Sequence, residues 1–250
     1  MAFRKFLSAI GVGAPSVETV VDTPVVRPGE TLRCTVTVRG GGADVTVERL
    51  RLDVVVRAED REVDGSTAWN NPYPVVTVDV DGFRLAAGET VTREVAIALP
   101  WEMPVTHALG SPLKGSKAAV RTELAIDNSV DRGDFDPVEV HPLPAQDAVF
   151  RAYRDLGFRL HESEIKLGLL SRAPRMESRQ TEPYWQEIDF HFPESWQRGL
   201  GELETVCVAR ADSLDTHPGG YPPLAVAYAD LSQADLTKAL DEHVRSFWRV

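Results

Sequence analysis

Residues 31–38, Thr31-Leu32-Arg33-Cys34-Thr35-Val36-Thr37-Val38, alternate polar and apolar side chains without a break. A period of two puts Leu32, Cys34, Val36 and Val38 on one face of an extended chain and the threonines and Arg33 on the other. A helix would scatter the same side chains around its circumference. The stretch therefore reads as a strand in a sheet with one buried and one wet face.

Arg27-Pro28-Gly29-Glu30 turns the chain before this strand, and Gly40-Gly41-Gly42-Ala43-Asp44 turns it afterwards. Val45 and Val47 open the next strand, and Leu50, Leu52, Val54 and Val56 continue it on the opposite parity. That switch near Glu48-Arg49 predicts a β-bulge. Further strands fall at Val76/Val78/Val80, Val91/Val95/Ile97/Leu99 and Val120/Leu124/Ile126, divided by Asp81-Gly82 and Ala87-Gly88-Glu89. Short valine- and threonine-rich strands with no helical period between them predict an antiparallel sandwich.

Residues 136–144 contain Pro137, Pro142 and Pro144, which stiffen the chain and oppose helix. A domain boundary is placed near residue 144. Beyond it, Val149, Ala152 and Tyr153 line one side of a short helix over 145–155 that Gly157 ends. Strands are expected at Phe158–His161, Tyr184–Phe192, Leu203–Ala211 and Leu224–Ala229. A final helix starts at Ser232, with Asp235 completing a capping box and Leu231 and Leu236 a hydrophobic staple. Leu236, Leu240, Val244 and Phe247 share its apolar face. The opening residues form another short helix, with Phe3, Phe6, Leu7 and Ile10 on one side.

The organisation is thus all-β: an amphipathic helix at 1–13, a sandwich at 14–144, a smaller sandwich at 145–230 and a helix at 231–250. Two sandwiches fit the 250 residues, of which 43% are hydrophobic.

Acidic residues outnumber basic ones, 38 to 27, for a net charge of -11. Nucleic acid is not an expected partner, because phosphate binding needs clustered Lys and Arg. No apolar run reaches the roughly 18–20 residues of a membrane span, and membrane contact through the short first helix would be weak and peripheral. Cys34 and Cys207 are far apart, which argues against a disulfide framework and for a cytoplasmic location.

Catalytic motifs are missing. There is no phosphate-cradling glycine loop and no G-x-S-x-G elbow. Ser111/Lys114 and Ser163/Lys166 match S-x-x-K without its partner motifs. No histidine pair has H-E-x-x-H spacing. Glu187, Asp189 and His191 project from one strand face, and with His161 they are the residues a metal-dependent enzyme would use. Asp127, Asp131, Asp134 and Asp136 crowd what reads as one loop, without the spacing of an EF-hand. The expectation is no catalytic, cofactor or metal residue. Phe3, Phe6, Leu7 and Ile10 are left as a surface for an unidentified protein partner, for a homodimer, or for the chain's own sandwich.

The opening Phe3-Arg4-Lys5-Phe6-Leu7-Ser8-Ala9-Ile10-Gly11-Val12-Gly13-Ala14 runs into Val17-Glu18-Thr19-Val20 and then Arg27-Pro28-Gly29-Glu30. Together with His141-Pro142-Leu143-Pro144, Gln146, Leu156-Gly157-Phe158-Arg159 and Leu203-Glu204-Thr205-Val206, it resembles the bacterial sporulation-control family, stage-zero protein M. The likeness covers most of residues 1–210 and is weaker over the last forty. It implies two arrestin-like sandwiches joined by a short hinge, and a non-catalytic regulator or adaptor tied to sporulation or cell-cycle control. It carries over no active-site residues. A purely self-assembling structural role is the remaining alternative.

Overall fold

The computed structural model describes residues 14–58, 72–126, 129–170, 178–196, 201–230 and 232–248. The stretch expected to form the first helix, with Phe3, Phe6, Leu7 and Ile10, lies outside the described residues, as does Leu231 of the expected staple.

The first half contains β1 (Ser16–Val21), β2 (Val25–Val26), β3 (Thr31–Arg39), β4 (Val45–Val56) and β5 (Tyr73–Leu85). β6 (Thr90–Ala98), β7 (His107–Ala108), β8 (Ser111–Pro112), β9 (Ala118–Ile126) and β10 (Ser129–Val140) follow. They form a three-stranded sheet, β1-β3-β6, a five-stranded sheet, β2-β10-β9-β4-β5, and the small β7-β8 pair. In β3, Leu32, Cys34, Val36 and Val38 are buried and Thr31 and Arg33 exposed, as the alternation requires. Thr19 of β1 and Thr122 of β9 join their hydroxyls across the layers at 2.7 Å.

The bulge falls where the parity switches, with the β4–β9 register shifting between Val47 and Arg49. Asp81-Gly82 is not a turn; β5 runs straight through it. A Cβ on Gly82 would stand 2.7 Å from the Val47 carbonyl oxygen and 2.8 Å from that of Glu48. The glycine is there to let β5 lie close against the bulge. The aspartate-rich loop is also corrected: residues 129–140 are a strand paired to β9, with one irregularity between Arg132 and Phe135. Pairing to a long apolar neighbour overrides the local turn preference.

Pro144 starts a helix rather than opposing one. It lies in the first turn of α1 (Pro144–Asp155), where its fixed φ suits the helix and its missing N–H costs nothing. The Leu143 N–H donates to Gln146 Oε1 at 2.9 Å. At the other end the Phe158 N–H donates to the Tyr153 carbonyl and that of Gly157 to Arg154, a Schellman pattern. The Tyr153 and Phe158 rings close over it, 5.3 Å apart.

The second half adds β11 (Arg159–Leu167), β12 (Tyr184–His191), β13 (Glu202–Ala209), β14 (Ser213–Pro218) and β15 (Leu224–Ala227), then α2 (Gln233–Phe247). The five strands form one antiparallel sheet in chain order. β14 carries no apolar alternation, which hid it from the periodicity. Tyr184, Ile188 and Phe190 of β12 are buried beneath α1, with the Phe190 ring 4.7 Å from Tyr153 and 6.4 Å from Phe150. Ser232 does cap α2, but its side chain makes no capping hydrogen bond. Leu236, Leu240 and Val244 are buried, and Gln233 Nε2 donates to the Ala148 carbonyl at 3.1 Å, tying α2 to α1.

One apolar cluster runs from Val26 in the first half to Val244 in α2. Cys34 and Cys207 are free. No helix among the described residues is long and apolar enough to cross a membrane.

Candidate functional site

Among the described residues, two places bring two imidazoles and a carboxylate within 4.8 Å of one another: His107, Glu139 and His141, and His161, His191 and Glu202. Glu187 and Asp189 belong to neither. The strand that aligns them with His191 also spaces them along its length.

The β12–β13 register sets His191 opposite Glu202, and a β11 irregularity between Leu160 and Ser163 brings His161 alongside. Glu202 Oε1 lies 2.5 Å from His161 Nδ1 and 3.4 Å from His191 Nδ1. The first approach is off the hydrogen-bond line, so His161 Nδ1 has no well-directed partner. The two rings stack at 4.3 Å. Glu162 pairs with Lys114 at 2.7 Å, which holds its carboxyl below the ordinary range.

Next to this pair the outer face of the second sheet is acidic. Asp189 faces Glu204 across the strands and Glu187 faces Glu164. Asp189 is buried, and one of its oxygens has no hydrogen-bond partner. Burial, then the neighbouring carboxylates, push its carboxyl up to about 7. Above pH 3.8 the unfolded chain has released a proton that the folded chain still holds. Stability from this group therefore falls as pH climbs from 3.8 to about 7, and is flat beyond. Asp189→Asn should remove that decline, read as urea midpoints measured across this pH range.

The two halves meet around Gln186 of β12. Its Oε1 accepts the Val105 N–H at 2.8 Å, and its Nε2 donates to the Val105 carbonyl at 2.8 Å and to Ser163 Oγ at 2.8 Å. The Ser163 N–H donates to the Lys114 carbonyl at 2.9 Å. Glu102 accepts the Thr181 N–H and hydroxyl, both at 2.8 Å. These bonds fix the segment from Glu102 to Ser116 against β11 and β12. A cavity beside them, lined by residues including Met103, Phe150 and Tyr184, holds only about 20 Å³, room for roughly one water.

The residues the sequence singled out are thus divided. Phe3, Phe6, Leu7 and Ile10 lie outside the described residues; His161 and His191 converge, but on Glu202. Gln186 and the His107 group were missed. Glu139 and His141, two apart at the end of a strand, were a readable hint; His107 was not.

Two packed β-layers, followed by a helix and a further antiparallel sheet bonded to them, define a mostly-β, arrestin-like protein. The chain belongs to the SpoOM protein family, whose model matches residues 3–217. It is 28% identical over 218 residues to the sporulation-control protein Spo0M of Bacillus subtilis, spanning 85% of this chain and 78% of that protein. The crystal structure of Spo0M from Bacillus subtilis superposes with a TM-score of 0.71 at 22% identity, covering 94% of this chain and 100% of that one.

Proposed function

We propose that this chain is a non-catalytic regulator that acts by docking another protein, with the edge of β1 and, from the sequence that precedes it, Phe3, Phe6, Leu7 and Ile10 as the contact residues. The strand order is the observation that carries this reading. Among the described residues β1 ends its sheet and hydrogen-bonds within it to β3 alone, which leaves its other edge for an added strand. Val20 on β1 is 45% exposed, a large apolar side chain left at the surface of this strand. Kinship with a sporulation-control protein supports regulation as the setting.

Affinity capture from native cells should compare the full chain with a variant lacking residues 1–10. Recovery of specific partners is expected to drop at least tenfold in the shortened protein, on the order of 1.4 kcal/mol of binding or more. Equal recovery by both would remove Phe3, Phe6, Leu7 and Ile10 from the docking role. Light scattering on the same samples separates a partner from a second copy of the chain.

A further inference from the structure

Three donor side chains meet where β10 gives way to α1. Glu139 lies on the last turn of the strand's pleat, His141 follows two residues on, and His107 of β7 stacks over it. His141 Nε2 is 3.2 Å, and His107 Nε2 3.7 Å, from the same Glu139 oxygen. The two rings stack 4.4 Å apart and within 9° of parallel, which sets both Nε2 atoms beside one carboxylate oxygen with their lone pairs side by side; a turn of the partly exposed His141 ring about its Cβ–Cγ bond would bring both onto one ion. These separations bracket the about 3.3 Å expected between ligand atoms around a tetrahedral zinc with bonds near 2.0–2.1 Å.

Backbone pairing holds all three in position. The Glu139 N–H donates to the Pro24 carbonyl and the His141 N–H to the Val26 carbonyl, both at 2.8 Å. The Thr106 N–H, beside His107, donates to the Val140 carbonyl at 2.8 Å. Thr106 Oγ1 also accepts the Val140 N–H at 2.8 Å and sits 3.0 Å from His107 Nδ1. With the proton on Nδ1 and directed at this hydroxyl, the Nε2 lone pair faces Glu139. That is the outer support a metal-bound imidazole has. The His107 side chain is only 13% exposed, whereas Glu139 is 54% exposed and free to swing inward.

We propose that Nε2 of His107, Nε2 of His141 and the Glu139 carboxylate form a binding site for a borderline divalent transition ion such as zinc, with water completing the shell. Two imidazoles and one carboxylate suit such an ion, while calcium and magnesium prefer all-oxygen shells. The His161 group fits less well. Its Glu202 oxygen, 2.5 Å from His161 Nδ1, is too close for two ligands of one ion. An ion at His107 would tie β7 to the end of β10, at the point where the chain passes into the second half.

The test is calorimetric titration of the chelator-stripped full chain with zinc chloride, with thermal unfolding followed in parallel. One equivalent should bind and raise the unfolding temperature. Glu139→Gln, and His107→Gln with His141→Gln, should each weaken zinc by at least about tenfold, while His161→Gln with His191→Gln leaves it unchanged. Glu139→Gln alters an exposed side chain and keeps the test decisive if the double variant does not fold. Absence of saturable binding by the full chain overturns the proposal. So does binding that Glu139→Gln leaves intact, or that only the His161/His191 variant abolishes.

Discussion

Gly115→Ala should destabilise the protein nearly as much as Gly115→Val, by about 3 kcal/mol or more, because the first added carbon does most of the damage. Gly115 has φ +90°, a left-handed conformation that costs an L-residue about 1–2 kcal/mol. A Cβ there would also fall inside the contact shell of the Ser163 carbonyl oxygen, which is backbone and cannot swing away. Relief would require parting the Lys114–Ser163 hydrogen bond and, with it, the neighbouring seam between the halves. Gly110 is the control. Its φ is +77°, but nothing stands within 4 Å of its added carbon, so Gly110→Ala bears the conformational cost alone. Denaturant unfolding of the three variants measures this. Equal losses at Gly110 and Gly115 would show that crowding against Ser163 contributes nothing.

Phe190→Ala should cost about 3–5 kcal/mol and lower the unfolding temperature by on the order of 10 °C. The ring is fully buried and lies between β12 and α1, touching Tyr153 and Phe150. Its removal leaves a hole walled by a helix and a hydrogen-bonded sheet, neither of which can collapse readily. Phe190→Leu refills most of the space and should recover more than half of the loss. Calorimetry distinguishes the two; an alanine variant that melts with wild type would mean that α1 does not depend on this ring for its seat.

Those sites also mark what could be read from the residues alone. The strand at 31–38 and the bulge at Glu48-Arg49 were legible because burial on one face writes a period of two directly into the sequence. The aromatic side of β12 was legible for the same reason. β14 was not, because its Asp215 is buried among charges: Arg179 and Arg210 hold it at 2.7 and 2.9 Å. Those partners come from distant parts of the chain and leave no local pattern. The aspartates at 131, 134 and 136 misled because turn chemistry is local, whereas strand pairing is decided by the neighbour. The site chemistry was harder still. His161 and His191 were each noticed, but a carboxylate joined them only through a register set by three strands. Gln186 has no signature at all; an amide becomes a clasp only when a loop from the other half is laid across it.

The unbroken apolar cluster from Val26 to Val244 bears on heredity as well as on folding. A gene that exchanged its latter half with a distant relative would inherit a seam fitted to someone else's side chains, and both pieces would then show oily surfaces to water. Descent should therefore keep the two halves as one lineage, with changes near Gln186 answered by changes around Val105.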